Sequence, residues 1–320
     1  MKAVILESKV VDPGDISWAP VTELCETMVY EHCHEEDKFE KIGDADIVLT
    51  NKVVIDEEVL ERCPKIKYIG VCATGYNIID LEACRKRGIV VTNVPAYSTA
   101  SVVQHAIALM LDMASKITIY TNSVNEGDWI KSEDFMYYKQ FPMELEGKTL
   151  GIYGFGNIGR GVAKVAQALG MNVLVHTAHP DKYLSYVNSQ LRFADVNSLL
   201  RYSDIISFHC PLTEDTKGLV CKENIAKMKD GVIIVNVSRG PIINEADLAE
   251  ALKSGKVAVA GVDVVSTEPM AADNPLFGAP NMYITPHTAW ASKEARLRLV
   301  NVIAGNIAAW LKGEPINVVS

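Results

Sequence analysis

The stretch Thr149-Leu-Gly-Ile-Tyr-Gly154-Phe155-Gly156-Asn157-Ile158-Gly159-Arg-Gly161 decides the fold. An apolar, strand-like segment runs into three glycines spaced G-x-G-x-x-G, and a helix-like segment follows over residues 162–169. In such a turn the first glycine permits the tight reversal and the second lets a pyrophosphate come up to the backbone. The third lets the helix pack onto the strand. The amides at the helix start then face phosphate oxygens, and the helix dipole favours their charge. The glycine spacing alone also occurs in ordinary βα turns. A strand before it and a helix after it make it a dinucleotide-binding turn.

Working outward, strand-like runs lie at 149–153, 172–176, 204–208, 231–236, 257–262 and 282–285. Six strands around a glycine turn predict a doubly wound parallel sheet of the Rossmann type. Upstream, strand-like runs at 2–6, 27–30, 46–49, 67–71 and 89–92 alternate with helical runs such as 56–62 and 79–87, which predicts a second parallel α/β domain. Asn93-Val-Pro95-Ala-Tyr97-Ser98 breaks that alternation. Apolar residues at helical spacing then predict one long helix from Ser98 to Gly127, able to carry the chain from one domain to the other. The aromatic stretch 129–143 reads as an ordered loop, and a last helix over 292–312 ends at Gly313 with Pro315 beyond. Two domains suit a chain of 320 residues.

Composition narrows the classes. An apolar fraction of 48% and a charged fraction of 22% are ordinary for a globular enzyme. The net charge is -9 and no basic run occurs, so no nucleic-acid partner is expected. No apolar window of about 18 residues predicts a membrane span. The start Met-Lys-Ala-Val-Ile-Leu-Glu reads as a strand, since its apolar part is too short for a signal peptide. Seven scattered cysteines without C-x-x-C spacing predict reduced thiols and a cytoplasmic location. His32-Cys33-His34-Glu35-Glu36 has ligand-type residues, but neighbours on a charged segment rarely close around a metal, and no metal is expected.

Ligands of an open parallel sheet bind beyond the carboxyl ends of its strands. That rule selects Gly154 to Gly159, Thr177, His209-Cys210-Pro211, Ser238-Arg239-Gly240, Asp263 and Pro286-His287. Arg239 follows a very apolar run and could hold an anion through its fork of donors, or pair with a neighbouring helix. His287 has a place suited to proton transfer near neutral pH, and His209 is its rival. Glu268 could orient that imidazole, although its spacing alone fits a solvated loop glutamate better. Cys210 lacks an evident base and reads as wall packing.

Together these residues resemble the D-isomer-specific 2-hydroxyacid dehydrogenase family over nearly the whole chain. The likeness is carried by Gly154 to Gly159, by Cys210-Pro211-Leu-Thr213, and by Val235-Asn-Val237-Ser238-Arg239-Gly240. Gly261-Val-Asp263-Val, Glu268-Pro269 and Thr285-Pro-His287-Thr-Ala289 complete it. The resemblance implies that Arg239 binds the substrate's carboxylate and carbonyl, that His287 is the general acid/base, and that Glu268 pairs with His287. It implies cofactor contacts from Gly154, Phe155, Gly156, Asn157, Ile158, Gly159, Thr177, Cys210, Pro211, Val237, Ser238, Asp263 and Ala289. It also implies a flavodoxin-like substrate domain (residues 1–97 and 291–320) and a Rossmann cofactor domain (98–290). Ala73-Thr74-Gly75-Tyr-Asn77 is similar to the family's carboxylate-binding loop, with Thr74 and Gly75 offering amides. Tyr97, the aromatic loop and Trp290 would narrow the substrate end.

Asn93-Val-Pro-Ala-Tyr-Ser-Thr99, Asp128-Trp129 and His287-Thr-Ala-Trp290 are similar to the glycerate dehydrogenase (hydroxypyruvate reductase) branch. The implied reaction takes hydroxypyruvate or glyoxylate to D-glycerate or glycolate with NAD(P)H, in a homodimer. An NAD(H)-sensing corepressor and a D-lactate or phosphoglycerate-type dehydrogenase stay open as alternatives. Where NAD-preferring members usually carry an acidic residue, this chain has Thr177. NAD is expected from family habit, with NADP left open.

Overall fold

The most apolar runs become the central strands of two parallel sheets. The computed structural model describes residues 1–320, which divide into two units, Met1–Ser98 with Trp290–Ser320, and Thr99–Ala289. The first unit holds β1 (Lys2–Ile5), β2 (Glu26–Val29), β3 (Ile47–Thr50), β4 (Tyr68–Val71) and β5 (Val90–Thr92), in the order β2-β1-β3-β4-β5. All pairings are parallel, and the order is that of a flavodoxin-like sheet. β3 and β4 are buried at every position because both faces of the sheet are covered. On one face Val59, Leu60, Ala83 and Cys84 come from the helices Glu57–Arg62 and Leu81–Lys86. On the other, the helix Lys293–Leu311 contributes Leu299, Val300, Ile303 and Ile307.

The second unit holds β6 (Thr149–Tyr153), β7 (Asn172–His176), β8 (Leu191–Phe193), β9 (Ile205–Phe208), β10 (Val232–Asn236), β11 (Val257–Val262) and β12 (Met282–Ile284). Their order is β12-β11-β10-β9-β6-β7-β8, parallel throughout. This is the doubly wound order, with its reversal between β6 and β9. One strand more than the sequence predicts is present: β8 is a three-residue edge strand paired with β7.

The helix predicted over 98–127 is two helices, Thr99–Ser115 and Ile117–Asn125, meeting at 60°. Lys116 between them is left-handed, with φ 61. The carboxylate of Asp112 accepts the Thr118 amide at 2.8 Å and the Thr118 hydroxyl at 2.5 Å. It thus caps the second helix from within the first, satisfying an amide that has no partner of its own in a first turn.

Residues 126–148 carry neither helix nor strand. They are tied down by Lys139 to Asp128, by the Trp129 indole N–H to the Phe135 carbonyl, and by the Tyr120 hydroxyl to the Gln140 carbonyl. Ile130, Phe135, Tyr138 and Phe141 of this loop stand exposed. No single helix is long and apolar enough to cross a membrane. All seven cysteines are unpaired, and no three His, Cys, Asp or Glu side chains gather as a metal-binding group.

Candidate active site

The turn after β6 has the shape a dinucleotide requires. Gly154 has φ 98, and a Cβ on it would stand 2.5 Å from the His209 carbonyl oxygen just past β9. A Cβ on Gly159 would stand 2.1 Å from the Gly154 oxygen, so only glycine lets the helix approach the strand. Gly156, in contrast, faces open space. It is the N-cap of the helix Asn157–Ala168, and no side chain caps that end. An open approach to an uncapped twelve-residue helix start fits a pyrophosphate.

Side chains around the turn are arranged less simply. The Phe155 ring is buried, with the rings of Tyr183, Tyr186 and Phe193 edge-on at 5.4, 5.5 and 5.8 Å. Asn157 accepts a hydrogen bond from the Arg160 guanidinium at 2.5 Å. Thr177 lies just past β7, half-buried, as does Ile158 in the first turn of the helix. His176, the last residue of β7, packs on Tyr153 and donates from Nδ1 to the Ala194 carbonyl at 3.2 Å.

The ends of β10, β11 and β12 are neighbours in the sheet and carry the remaining polar groups. Buried Asn236 shapes the first of them. Its Oδ1 accepts the Ser238 amide (3.1 Å) and hydroxyl (2.9 Å), and its Nδ2 donates to the Arg239 carbonyl (2.8 Å). Val237 is buried, while Arg239 is exposed, with Nη1 donating to the Ser238 carbonyl at 2.7 Å. Gly240 touches the next strand-end loop so closely that a Cβ would lie 2.0 Å from the Val265 carbonyl carbon. This contact draws the Arg239 turn against the loop that carries Glu268.

Asp263 is 1% exposed, and a buried carboxylate needs donors. Its Oδ1 accepts the Thr285 hydroxyl at 2.6 Å and the Thr288 amide at 2.8 Å, and its Oδ2 accepts the Ala289 amide at 2.9 Å. The His287 amide donates to the Asp263 carbonyl at 2.8 Å, and His287 itself has φ 55. Glu268 completes the group: its Oε2 lies 2.7 Å from His287 Nδ1, and its Oε1 accepts the Val265 amide at 3.3 Å. The bond at Nδ1 fixes the ring's orientation and places Nε2 as its other face.

The rival positions differ in chemistry. Burial pushes the His209 imidazole down to about 3, its Nδ1 is buried without a partner, and its Nε2 meets the Ser207 hydroxyl at 2.9 Å. Burial pushes the Cys210 thiol up to about 11, so it stays protonated and apolar near neutral pH. Pro211 beside it is exposed, and its carbonyl accepts the Thr216 hydroxyl at 2.8 Å.

In the first unit, the loop at Thr74 and Gly75 is fixed from three sides. The Thr74 hydroxyl donates to the Val94 carbonyl (2.8 Å), Asn93 Nδ2 donates to the Thr74 carbonyl (2.7 Å), and the Val94 amide donates to the Ala73 carbonyl (3.0 Å). Tyr97 is buried edge-on to Trp290, with ring centres 6.2 Å apart, and its carbonyl accepts from Arg298 at 2.8 Å.

Residues 107–289 match the sequence model of the D-isomer specific 2-hydroxyacid dehydrogenase, NAD binding domain. The chain belongs to the D-isomer specific 2-hydroxyacid dehydrogenase family. It is 49% identical to the hydroxypyruvate reductase of Blautia hydrogenotrophica over the full length of both chains. It is 40% identical to the glycerate dehydrogenase of Methylorubrum extorquens, covering 89% of this chain and 88% of that one. The crystal structure of the TT0316 protein from Thermus thermophilus matches over the whole of both chains with TM-score 0.87 and 31% identity. The dehydrogenase therefore uses a nicotinamide dinucleotide.

Several groups of this dehydrogenase's site carry no motif of their own. Asn236 and Thr285 sit inside recognised stretches yet reveal their bonds only in three dimensions. Ser101 and His105 lie far back in the sequence, where i, i+4 spacing on a helix is their one shared signal.

Proposed function

We propose that this dehydrogenase reduces hydroxypyruvate, and glyoxylate after it, to D-glycerate and glycolate. The observation that supports the reading is the 2.7 Å bond between Glu268 and His287 Nδ1, which occupies that nitrogen and leaves Nε2 to exchange the substrate proton. When bound, a nicotinamide would supply or take the hydride. Arg239 holds the carboxylate and keto oxygen through two of its donors. Within the first unit, the Thr74 and Gly75 amides are the proposed carboxylate-binding loop. His287 gives the proton from Nε2 to the keto oxygen as the carbon is reduced, and takes it back in the reverse direction. Glu268 keeps the ring in place and pairs with its cationic form. Asp263 is the residue assigned to the side of the nicotinamide carboxamide. The names of the relatives from Blautia hydrogenotrophica and Methylorubrum extorquens support this substrate choice.

A site built to bond a substrate hydroxyl discriminates strongly against its absence, because polar groups are then left unpaired. The expected order of kcat/KM is hydroxypyruvate, glyoxylate, then pyruvate, measured with NADH and NADPH in turn. Higher efficiency with phenylpyruvate than with hydroxypyruvate overturns the assignment. At Thr177 no carboxylate repels a 2′-phosphate, so both cofactors are used, and Thr177→Asp shifts the preference to NADH.

Exposed Ile130, Phe135, Tyr138 and Phe141 on a tied-down loop support a homodimer through that face. Light scattering is expected to give twice the 35.1 kDa chain mass, and a monomer at micromolar concentration refutes it. Seven free thiols suit a reducing compartment, the cytoplasm.

A further inference from the structure

We propose that His105 is a positioning residue for the loop that carries His287, acting through the Thr285 hydroxyl on the Asp263 carboxylate. His105 lies on the helix Thr99–Ser115, with its Nε2 2.9 Å from Thr285 Oγ1 and 3.6 Å from Asp263 Oδ1. The direction of the bonds follows from what each atom can give. A carboxylate only accepts, so the single hydroxyl proton of Thr285 goes to Asp263 at 2.6 Å. The Thr285 oxygen is then left to accept, and His105 Nε2 must carry the hydrogen it donates.

One helical turn earlier, Ser101 donates from its hydroxyl to the Ala289 carbonyl at 2.6 Å. Residues four apart share a helix face, so the helix grips the two ends of the segment from Thr285 to Ala289. Between those grips the backbone is irregular. Its shape rests on the Thr285, Thr288 and Ala289 bonds to Asp263 and on the His287 amide bonded to the Asp263 carbonyl. His287 is held at φ 55 inside this frame. Sub-ångström placement of a proton donor governs turnover, and the His105 contact is what fixes Thr285 from outside the strand ends.

The inference rests on His287 being the proton donor, and the test keeps the two claims apart. In the full-length enzyme with hydroxypyruvate and NADH, His105→Phe is expected to lower kcat about tenfold while KM moves less than about twofold. His105→Gln, which restores an N–H donor, recovers most of the loss. Thr285→Val lowers kcat to a similar degree, and the double variant His105→Phe/Thr285→Val is no worse than Thr285→Val alone. Losses that multiply in the double variant overturn the proposal, as does a Gln variant as poor as the Phe variant. If His105→Phe does not fold, His105→Met against His105→Gln gives the same comparison. A parallel His287→Asn variant with normal kcat defeats the reading of the site itself. An inactive His287→Asn with multiplying His105 and Thr285 losses defeats only the present inference.

Discussion

His287→Asn is expected to lower kcat/KM for hydroxypyruvate by about 10²–10⁴-fold, the usual worth of general acid/base help. The asparagine amide can fill part of the ring's volume and still meet Glu268, so the loop should hold its shape. What it cannot do is deliver a proton at the position of Nε2. NADH affinity, followed by fluorescence titration, should change little, because the turn proposed to hold the phosphates, Gly154 to Gly159, follows another strand. His209 cannot stand in, since burial keeps its imidazole neutral down to about 3. Near-normal turnover in the variant sinks the assignment.

Arg239→Lys is expected to lower kcat/KM by about 10²-fold or more, although the charge is kept. Each hydrogen bond to a charged group contributes about 1.5–3 kcal/mol, and an ammonium cannot reproduce the planar pair of donors. The backbone at this position is set by Asn236 Nδ2 on the Arg239 carbonyl and by the close contact of Gly240 with Val265. A lysine there starts from the same place, so the measurement isolates fork geometry from charge. The loss should fall on both KM and kcat, with NADH affinity unchanged. Wild-type efficiency would mean that Arg239 does no more than decorate the strand end.

Much of the architecture could be read from runs of residues. β10 is Val-Ile-Ile-Val-Asn, apolar enough to require burial on both faces, and β6 leads directly into its glycines. β8 escaped because Leu-Arg-Phe is too short to show a period. The break at Lys116 escaped because Ala114-Ser-Lys-Ile-Thr118 continues a helical pattern without glycine or proline. A side-chain bond from Asp112 to Thr118 decides it, and such a bond leaves no trace in hydrophobic spacing. In the site, Arg239, Glu268 and His287 follow strands and can be found from the motif set. His105 could not be, because its partner Thr285 is 180 residues away in sequence. Asp263 stood out as a strand-end carboxylate and within Gly261-Val-Asp263-Val, while the donors that make its burial tolerable, largely backbone amides of the His287 loop, did not.

The burial of Phe155 bears on how this enzyme could be re-engineered or could diverge. The ring sits in the middle of the glycine turn, yet its neighbours Tyr183, Tyr186 and Phe193 belong to the segment that follows Thr177, the residue we propose for the ribose side. Arg160, one residue past the last fingerprint glycine, also lies over the Tyr183 ring at 5.4 Å. The glycine turn and the segment after β7 are thus joined by one aromatic cluster. A short cassette of residues exchanged after β7 to change cofactor choice would retune the turn above it as well. Transplanting such a preference requires moving the aromatic set with the loop, and point changes confined to the loop surface have the better prospect of leaving the phosphate cradle as it is.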